Sequence, residues 1–256
     1  MLQQTQVDRV VPQYERFLAA FPTPAACAAA GPAAVLRQWS GLGYNRRALN
    51  LHRAATVMVA EHGGGVPHGD ADLRALPGVG AYTARAVRTF AFGDDVAAVD
   101  TNGVRVLARA VAGTPLAVRQ ATDLGDRLVQ PGESWEFNQS MFDLGAMVCT
   151  AARPDCPRCP LRRQCAWRRQ GADVADPWRL SPTARPQSTF KGSDRQGRGR
   201  LLHALRQGGV RRSALAVACG WPEDPARADR VAAAVASEGF AAWSGGKDPF
   251  LRLRSG

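Results

Sequence analysis

Leu76-Pro77-Gly78-Val79-Gly80-Ala81-Tyr82-Thr83-Ala84 is the stretch whose reading decides the fold. A short helical segment, Asp70 to Leu76, stops at Pro77. A Gly-x-Gly turn follows, and an apolar helix from Tyr82 through Phe92 begins. Glycine allows the tight turn and close approach of other backbone. Amides at the start of the new helix suit a phosphate oxygen, helped by the helix dipole. Alone, Gly-x-Gly is weak evidence, and a plain helix–helix turn is the commoner explanation. It gains weight from the Asp that follows about twenty residues on, in Ala98-Val99-Asp100-Thr101-Asn102. Asp is a preferred N-cap, and a carboxylate at a helix start also suits stabilising an oxocarbenium-like sugar. Both roles can coexist.

The segments on either side are helical too. Upstream, Val7, Val10, Val11, Tyr14, Leu18 and Phe21 recur at helical spacing until Pro22. Pro24 to Cys27 and Ala33 to Trp39 read as short helices, and Arg46 to His62 as a longer one stopped by Gly63-Gly64-Gly65. Downstream follow Thr101 to Val111, Ala117 to Leu128 and Ser134 to Cys149. No convincing strand pattern precedes residue 200. The chain is therefore expected to be mainly α.

A second strong signal is Cys149-x6-Cys156-x2-Cys159-x5-Cys165, punctuated by Pro154, Pro157 and Pro160. Four of the six cysteines fall in this one loop, in a chain whose start shows no basic or apolar leader pattern. Such clustering reads as metal ligation rather than disulfides. A structural zinc and an iron–sulfur cluster both satisfy four thiolates. Arg153, Arg158, Arg162 and Arg163 stud the same loop and suggest a phosphate-facing surface.

Composition agrees with a polyanionic partner. The 256 residues carry 33 basic and 22 acidic side chains, a net charge of +11, which puts nucleic acid first and an anionic membrane surface second. No apolar run is long enough to span a bilayer. From about Asp173 to Gly199 the chain is rich in Pro, Ser, Gly and Arg and reads as a linker. Beyond it, helices around Leu201–Leu205, Ala214–Cys219 and Ala226–Ser237 precede Phe240–Trp243 and Phe250–Leu253. Three helices and a hairpin are the layout of a winged helix. Arg195, Arg198, Arg200, Arg211 and Arg212 are candidates to track phosphates there, with a solvated basic face the commoner reading for any single one of them. The expected domains are 1–168, a linker 169–199 and a C-terminal module 200–256.

Taken together, Met1-Leu2-Gln3-Gln4-Thr5-Gln6, Trp39-Ser40-Gly41-Leu42-Gly43-Tyr44, Leu76 to Thr83, Val99-Asp100-Thr101-Asn102, Phe137-Asn138-Gln139, Asp143-Leu144-Gly145-Ala146 and the four cysteines resemble the MutY-type adenine DNA glycosylases of the helix-hairpin-helix, endonuclease III superfamily. The match runs to about residue 168. The tail resembles short actinobacterial forms without a Nudix-like domain. The resemblance implies a two-lobed helical fold, a [4Fe–4S] cluster on Cys149, Cys156, Cys159 and Cys165, and double-stranded DNA with a mismatch as partner. It implies a flipped adenine, taken from opposite 8-oxoguanine or guanine. Leu2, Gln3, Gln4 and Thr5 would line the base pocket and lesion side, Gln4 as a wedge. Leu42 and Tyr44 would lie near the opposite base, and Gly78, Val79 and Gly80 at a phosphate. Tyr82 would contact the flipped nucleotide and Asp100 would stabilise the cationic sugar. The expected state is a monomer, cytoplasmic and nucleoid-associated.

Two departures bear on activity. Lyases of the superfamily carry Lys where this chain has Tyr82, so no Schiff base is expected there. Tyr at that position also occurs in thymine–guanine mismatch glycosylases, which makes thymine the second substrate reading. The family's general acid is a Glu just before the Met-Leu-Gln-Gln segment, and Met1 begins this sequence. Residues 1–256 are accordingly expected to bind DNA and to cut the glycosidic bond poorly, with a catalytically defective DNA-binding homologue as the remaining alternative.

Overall fold

The computed structural model describes residues 1–3, 5–171 and 189–255. Gln4 and most of the expected linker lie outside the described residues. In chain order the helices are α1 (Val7–Ala20), α2 (Pro24–Ala29), α3 (Gly31–Gln38), α4 (Arg46–Glu61), α5 (Asp70–Ala75), α6 (Ala81–Val87), α7 (Thr101–Leu107), α8 (Val118–Leu128), α9 (Ser134–Asp143) and α10 (Ala166–Arg169). Then come α11 (Asp194–Gln207), β1 (Val210–Arg211), α12 (Leu215–Cys219), α13 (Pro225–Ser237), β2 (Ala241–Trp243) and β3 (Phe250–Leu253). Side-chain oxygens of Thr23, Asp100, Ser193 and Asp224 cap α2, α7, α11 and α13. Each satisfies one of the orphan amides of a helix start. The longer helices expected from periodicity are α6, α7 and α9 continued by π-helical turns, Arg88–Phe92, Ala108–Ala112 and Leu144–Val148. Glycines in the left-handed conformation, Gly93 and Gly113, follow the first two.

The chain forms two compact units. The first takes Met1–Pro67, Leu76–Gly78 and the C-terminal segment from Gln187. Its core is continuous: Val10, Phe17, Leu36 and Trp39 of the N-terminal helices share one buried cluster with Leu201, Leu202, Leu205 and Phe240. The division therefore does not follow the 168/200 boundary expected from composition. The three strands form one antiparallel sheet in the order β1-β3-β2, with Val210 opposite Leu251 and Ala241 opposite Leu253.

Two sequence readings change in this unit. On α1 only Val10 and Phe17 are buried, while Val7, Val11, Tyr14 and Leu18 lie exposed. Apolar spacing found the helix but not which of its two stripes faces the core. In the C-terminal segment Arg198 is bidentate to Glu238 (2.5 and 2.9 Å), Arg211 pairs with Asp248 (3.5 Å) and Arg212 with Asp229 (3.3 Å). These three expected phosphate trackers already hold carboxylates.

Close packing in the C-terminal segment depends on Gly197. A Cβ there would lie 2.0 Å from the Trp221 ring. Gly197→Val is expected to destabilise the protein by about 1–3 kcal/mol, read as a melting temperature lowered by about 2–4 °C per kcal/mol.

The second unit takes His68–Ala75 and Val79–Pro186. Ala97, Val99, Val104, Leu107, Ala121 and Val129 make its main core, and Ala108, Cys165 and Trp167 a smaller cluster. No described helix is long and apolar enough to cross a membrane.

Candidate active site

Asp100 sits at the N-cap of α7. Its Oδ1 accepts from the Gly103 amide (2.7 Å) and its Oδ2 from Asn102 Nδ2 (3.2 Å). The irregular strand that delivers it, Val96–Val99, has no sheet partner, and side chains satisfy its backbone instead. Asn138 is 1 % exposed. Its Oδ1 accepts from the Ala98 amide (2.6 Å), and its Nδ2 donates to Val96 O (2.9 Å) and Ser134 O (2.7 Å). Asp126 accepts from the Ala97 amide (2.9 Å), while Arg85 donates to Ala97 O (2.6 Å) and pairs with Asp126. Asn138 of the Phe137-Asn138-Gln139 motif thus braces, from α9, the segment that leads into Asp100. Sequence reading registered the motif without this role.

Tyr82, on the first turn of α6, is 38 % exposed, and its ring lies 6.3 Å from that of Phe142. Burial, and then the negative charge of Asp100, push the Tyr82 phenol above its ordinary range. The Asp100 charge therefore reaches the ring. In an ultraviolet titration the Tyr82 phenolate should form above the ordinary tyrosine midpoint of ~10. Asp100→Asn should bring that midpoint part of the way down, because the burial contribution remains. A midpoint unmoved by the substitution would deny the proximity.

The hairpin before Tyr82 has the predicted form. Gly78 is left-handed at φ +82°, and a Cβ would come within 2.7 Å of the Asn50 side chain. Gly80 enters α6 in extended conformation without a side-chain cap, so the amides of that first turn suit an anionic oxygen.

In the first unit, Leu2, Gln3 and Tyr44 are exposed, and Thr5 is half-buried. Leu42, expected near a base, is 2 % exposed and packs in the core. Its backbone is what ties the turn: the amide donates to Trp39 O (3.3 Å), and the carbonyl accepts from Thr5 Oγ1 (3.2 Å) and Arg47 Nη2 (3.2 Å). Arg47, which sequence reading missed, ties the arm to the turn. It donates to Met1 O (2.6 Å), Gln3 O, Thr5 Oγ1 (2.7 Å) and Gly43 O (3.3 Å). Its guanidinium also lies over the Trp39 and Tyr44 rings. Gln4 falls outside the described residues.

Cys149, Cys156, Cys159 and Cys165 line one cavity with Val106, Leu144 and Trp167. Among the described residues no three acidic, imidazole or thiol side chains converge as a single ion requires. The Cys159 thiol is pushed up by burial, and further by Cys149, Cys165 and Cys156. Two buried arginines of the second unit fasten this loop. Arg105 donates to Cys149 O (2.7 Å), Gly145 O (2.8 Å) and Asn102 Oδ1 (2.8 Å). Arg109 donates to Thr150 O (2.8 Å) and Ala151 O (2.9 Å), with Cys149 Sγ at 3.5 Å. Sequence reading missed this role for both. Arg153, Arg158, Arg162 and Arg163 are exposed.

A helical hairpin, a capped aspartate held from behind and a four-cysteine loop are the parts of a helix-hairpin-helix base-excision protein. The family model for HhH-GPD superfamily base excision DNA repair proteins matches residues 1–122. The chain is 43% identical over 235 residues to the adenine DNA glycosylase of Mycolicibacterium smegmatis, and 45% over 237 residues to that of Mycobacterium tuberculosis. It spans 77% and 75% of those proteins, with 90% of its own length aligned. Among solved structures it resembles a thermostable thymine-DNA glycosylase (TM-score 0.60, 28% identity, 66% of this chain and 80% of that one). It also resembles a trapped endonuclease III–DNA covalent intermediate (TM-score 0.58, 25% identity, 66% and 81%). The chain belongs to the adenine DNA glycosylase family. Identity to those relatives well above that to the thymine-DNA glycosylase disfavours the thymine reading.

Proposed function

We propose that the protein is a DNA N-glycosylase of base-excision repair. It hydrolyses the bond between deoxyribose and an adenine mispaired with 8-oxoguanine or guanine. The observation that carries this reading is Asp100, held at a helix start where it accepts from Asn102 and the Gly103 amide, in the same compact unit as Tyr82. As the base departs, positive charge develops on the sugar. A fixed carboxylate stabilises that charge without reorganising. Tyr82 supports the flipped nucleotide, and the Gly78–Gly80 turn takes a backbone phosphate. Leu2, Gln3 and Tyr44 face the mispair. A ring nitrogen of the leaving adenine must also be protonated, a step worth ~10²–10⁴-fold. The resemblance assigns it to a Glu before the Met1-Leu2-Gln3-Gln4 segment.

The four cysteines would hold a [4Fe–4S] cluster. Four thiols of one loop lining a single cavity give the all-sulfur donor set such a centre needs. When bound, the cluster supplies one rigid cross-link of four loop positions, from which the exposed arginines reach phosphates. Helices α11 to α13 and the three-stranded sheet make a winged-helix-like arrangement within the first unit, and the protein works as a monomer on duplex DNA in the cytoplasm.

The test is single-turnover base release from duplexes containing A opposite 8-oxoguanine, A opposite G, and T opposite G. Adenine release from the first two supports the reading. Release of thymine alone, or neither release nor affinity for any duplex, refutes it.

A further inference from the structure

Tyr44 is the only described residue other than glycine at positive φ, +44°. The left-handed conformation is costly for a bulky residue and persists only where the surroundings over-determine it. The ring itself is 50 % exposed, so core packing does not hold it. Arg47 grips the turn from the N-terminal side, as described above. The other grip comes from the C-terminal segment. Arg206 of α11 donates through Nε to Leu36 O (3.0 Å) and through Nη2 to Asn45 Oδ1 (2.5 Å). Asn45 occupies the N-cap of α4, where an Asn side chain normally bonds the first turn. Here it makes no such bond, and its oxygen goes to Arg206. The same helix contributes Arg198 to a concavity that Gln3, Tyr44, Arg46 and Asn50 also line.

We propose that Arg206 is a positioning residue through which the C-terminal segment sets Tyr44, and so sets discrimination of the base opposite the target adenine. This rests on the function proposed above, which places Tyr44 at the mispair. Arg206 does not touch DNA. Its two hydrogen bonds fix Asn45 and the end of α3 on either side of the turn. Released from Asn45, residues 43–45 can relax from the left-handed geometry and the ring swings from its place.

The experiment is a set of equilibrium dissociation constants for labelled duplexes with A opposite 8-oxoguanine, A opposite C, and A paired with T, at one salt concentration. Wild type, Arg206→Ala, Arg206→Lys and Asn45→Ala are compared, with thermal melts of each. Arg206→Ala and Asn45→Ala should each shrink the 8-oxoguanine-over-C preference about tenfold, the worth of one charge-assisted hydrogen bond. Affinity for the A·T duplex should move less than about twofold on the same scale. Arg206→Lys, able to reach one acceptor, should recover part of the preference. If Arg206→Ala does not fold, Asn45→Ala decides alone. A wild type without preference among the duplexes sinks the proposed function and this inference with it. A wild-type preference that survives both substitutions, or variants that merely melt earlier and weaken on all duplexes alike, overturns the inference and leaves the function standing.

Discussion

Asp100→Asn is expected to slow adenine release by about 10²–10³-fold, the usual cost of removing one preorganised electrostatic group, while leaving the protein folded. The reason lies in the double duty of the side chain. As N-cap, Asp100 accepts from Gly103 (2.7 Å), and Asn accepts there about as well as Asp. As the charge facing a cationic sugar, Asn cannot replace it. The cap change is worth a few tenths of a kcal/mol, so the melting temperature should fall by less than about 3 °C. The neighbouring Arg105 keeps its bonds to Cys149 O, Gly145 O and Asn102 Oδ1 and is not orphaned. Asp100→Ala should lose both duties, adding ~1 kcal/mol of destabilisation to the rate loss. Equal rates for wild type and Asp100→Asn would remove the carboxylate from the chemistry. A collapse in stability would make it structural.

Arg109→Ala should produce the larger stability loss, about 3–5 kcal/mol. Arg109 is 1 % exposed and donates to Thr150 O and Ala151 O, with its guanidinium 5.2 Å from the Trp167 ring. Truncation leaves two carbonyls without their donors and empties the space beside an indole. Lysine is not a conservative replacement, since one ammonium cannot span both carbonyls and lie flat on the ring. Arg119→Ala, on the exposed side of α8, is the control, with an expected change within about 0.5 kcal/mol. Melting followed by circular dichroism measures the difference. Iron-to-thiolate absorbance in the same samples tests whether the four thiols carry the proposed cluster and whether the substitution releases it. An Arg109→Ala protein that melts like wild type would show that the cysteine loop is held by something other than this arginine.

Much of the site was legible because its parts are local. A Gly-x-Gly turn between two apolar helices, an Asp before Thr101 and four cysteines within seventeen positions each carry their chemistry in a short window. What escaped reading acts across long separations. Asn138 reaches back to Ala98, and Arg206 reaches Asn45 from the far end of the chain. Arg105 and Arg109 drew no reading from the sequence, because apolar periodicity does not single out a charged residue that is buried. In the fold they are buried donors to loop carbonyls. Leu42 and α1 show the converse limit, since an apolar residue beside a glycine turn can face either way.

Spacing was enough for a mainly helical chain with a hairpin, a helix-capping aspartate and a four-cysteine loop, because helix periodicity and turn chemistry are written within a few residues of where they act; DNA came from the resemblance of these motifs taken together. Folding in three dimensions settled which stripe of α1 is buried, that residues 189–255 share a core with the first sixty, and that Tyr44 takes a positive φ between neighbours bonded by Arg47 and Arg206. Those outcomes depend on which surfaces exclude water together and which buried polar groups find partners. Neither is encoded at any single place along the chain.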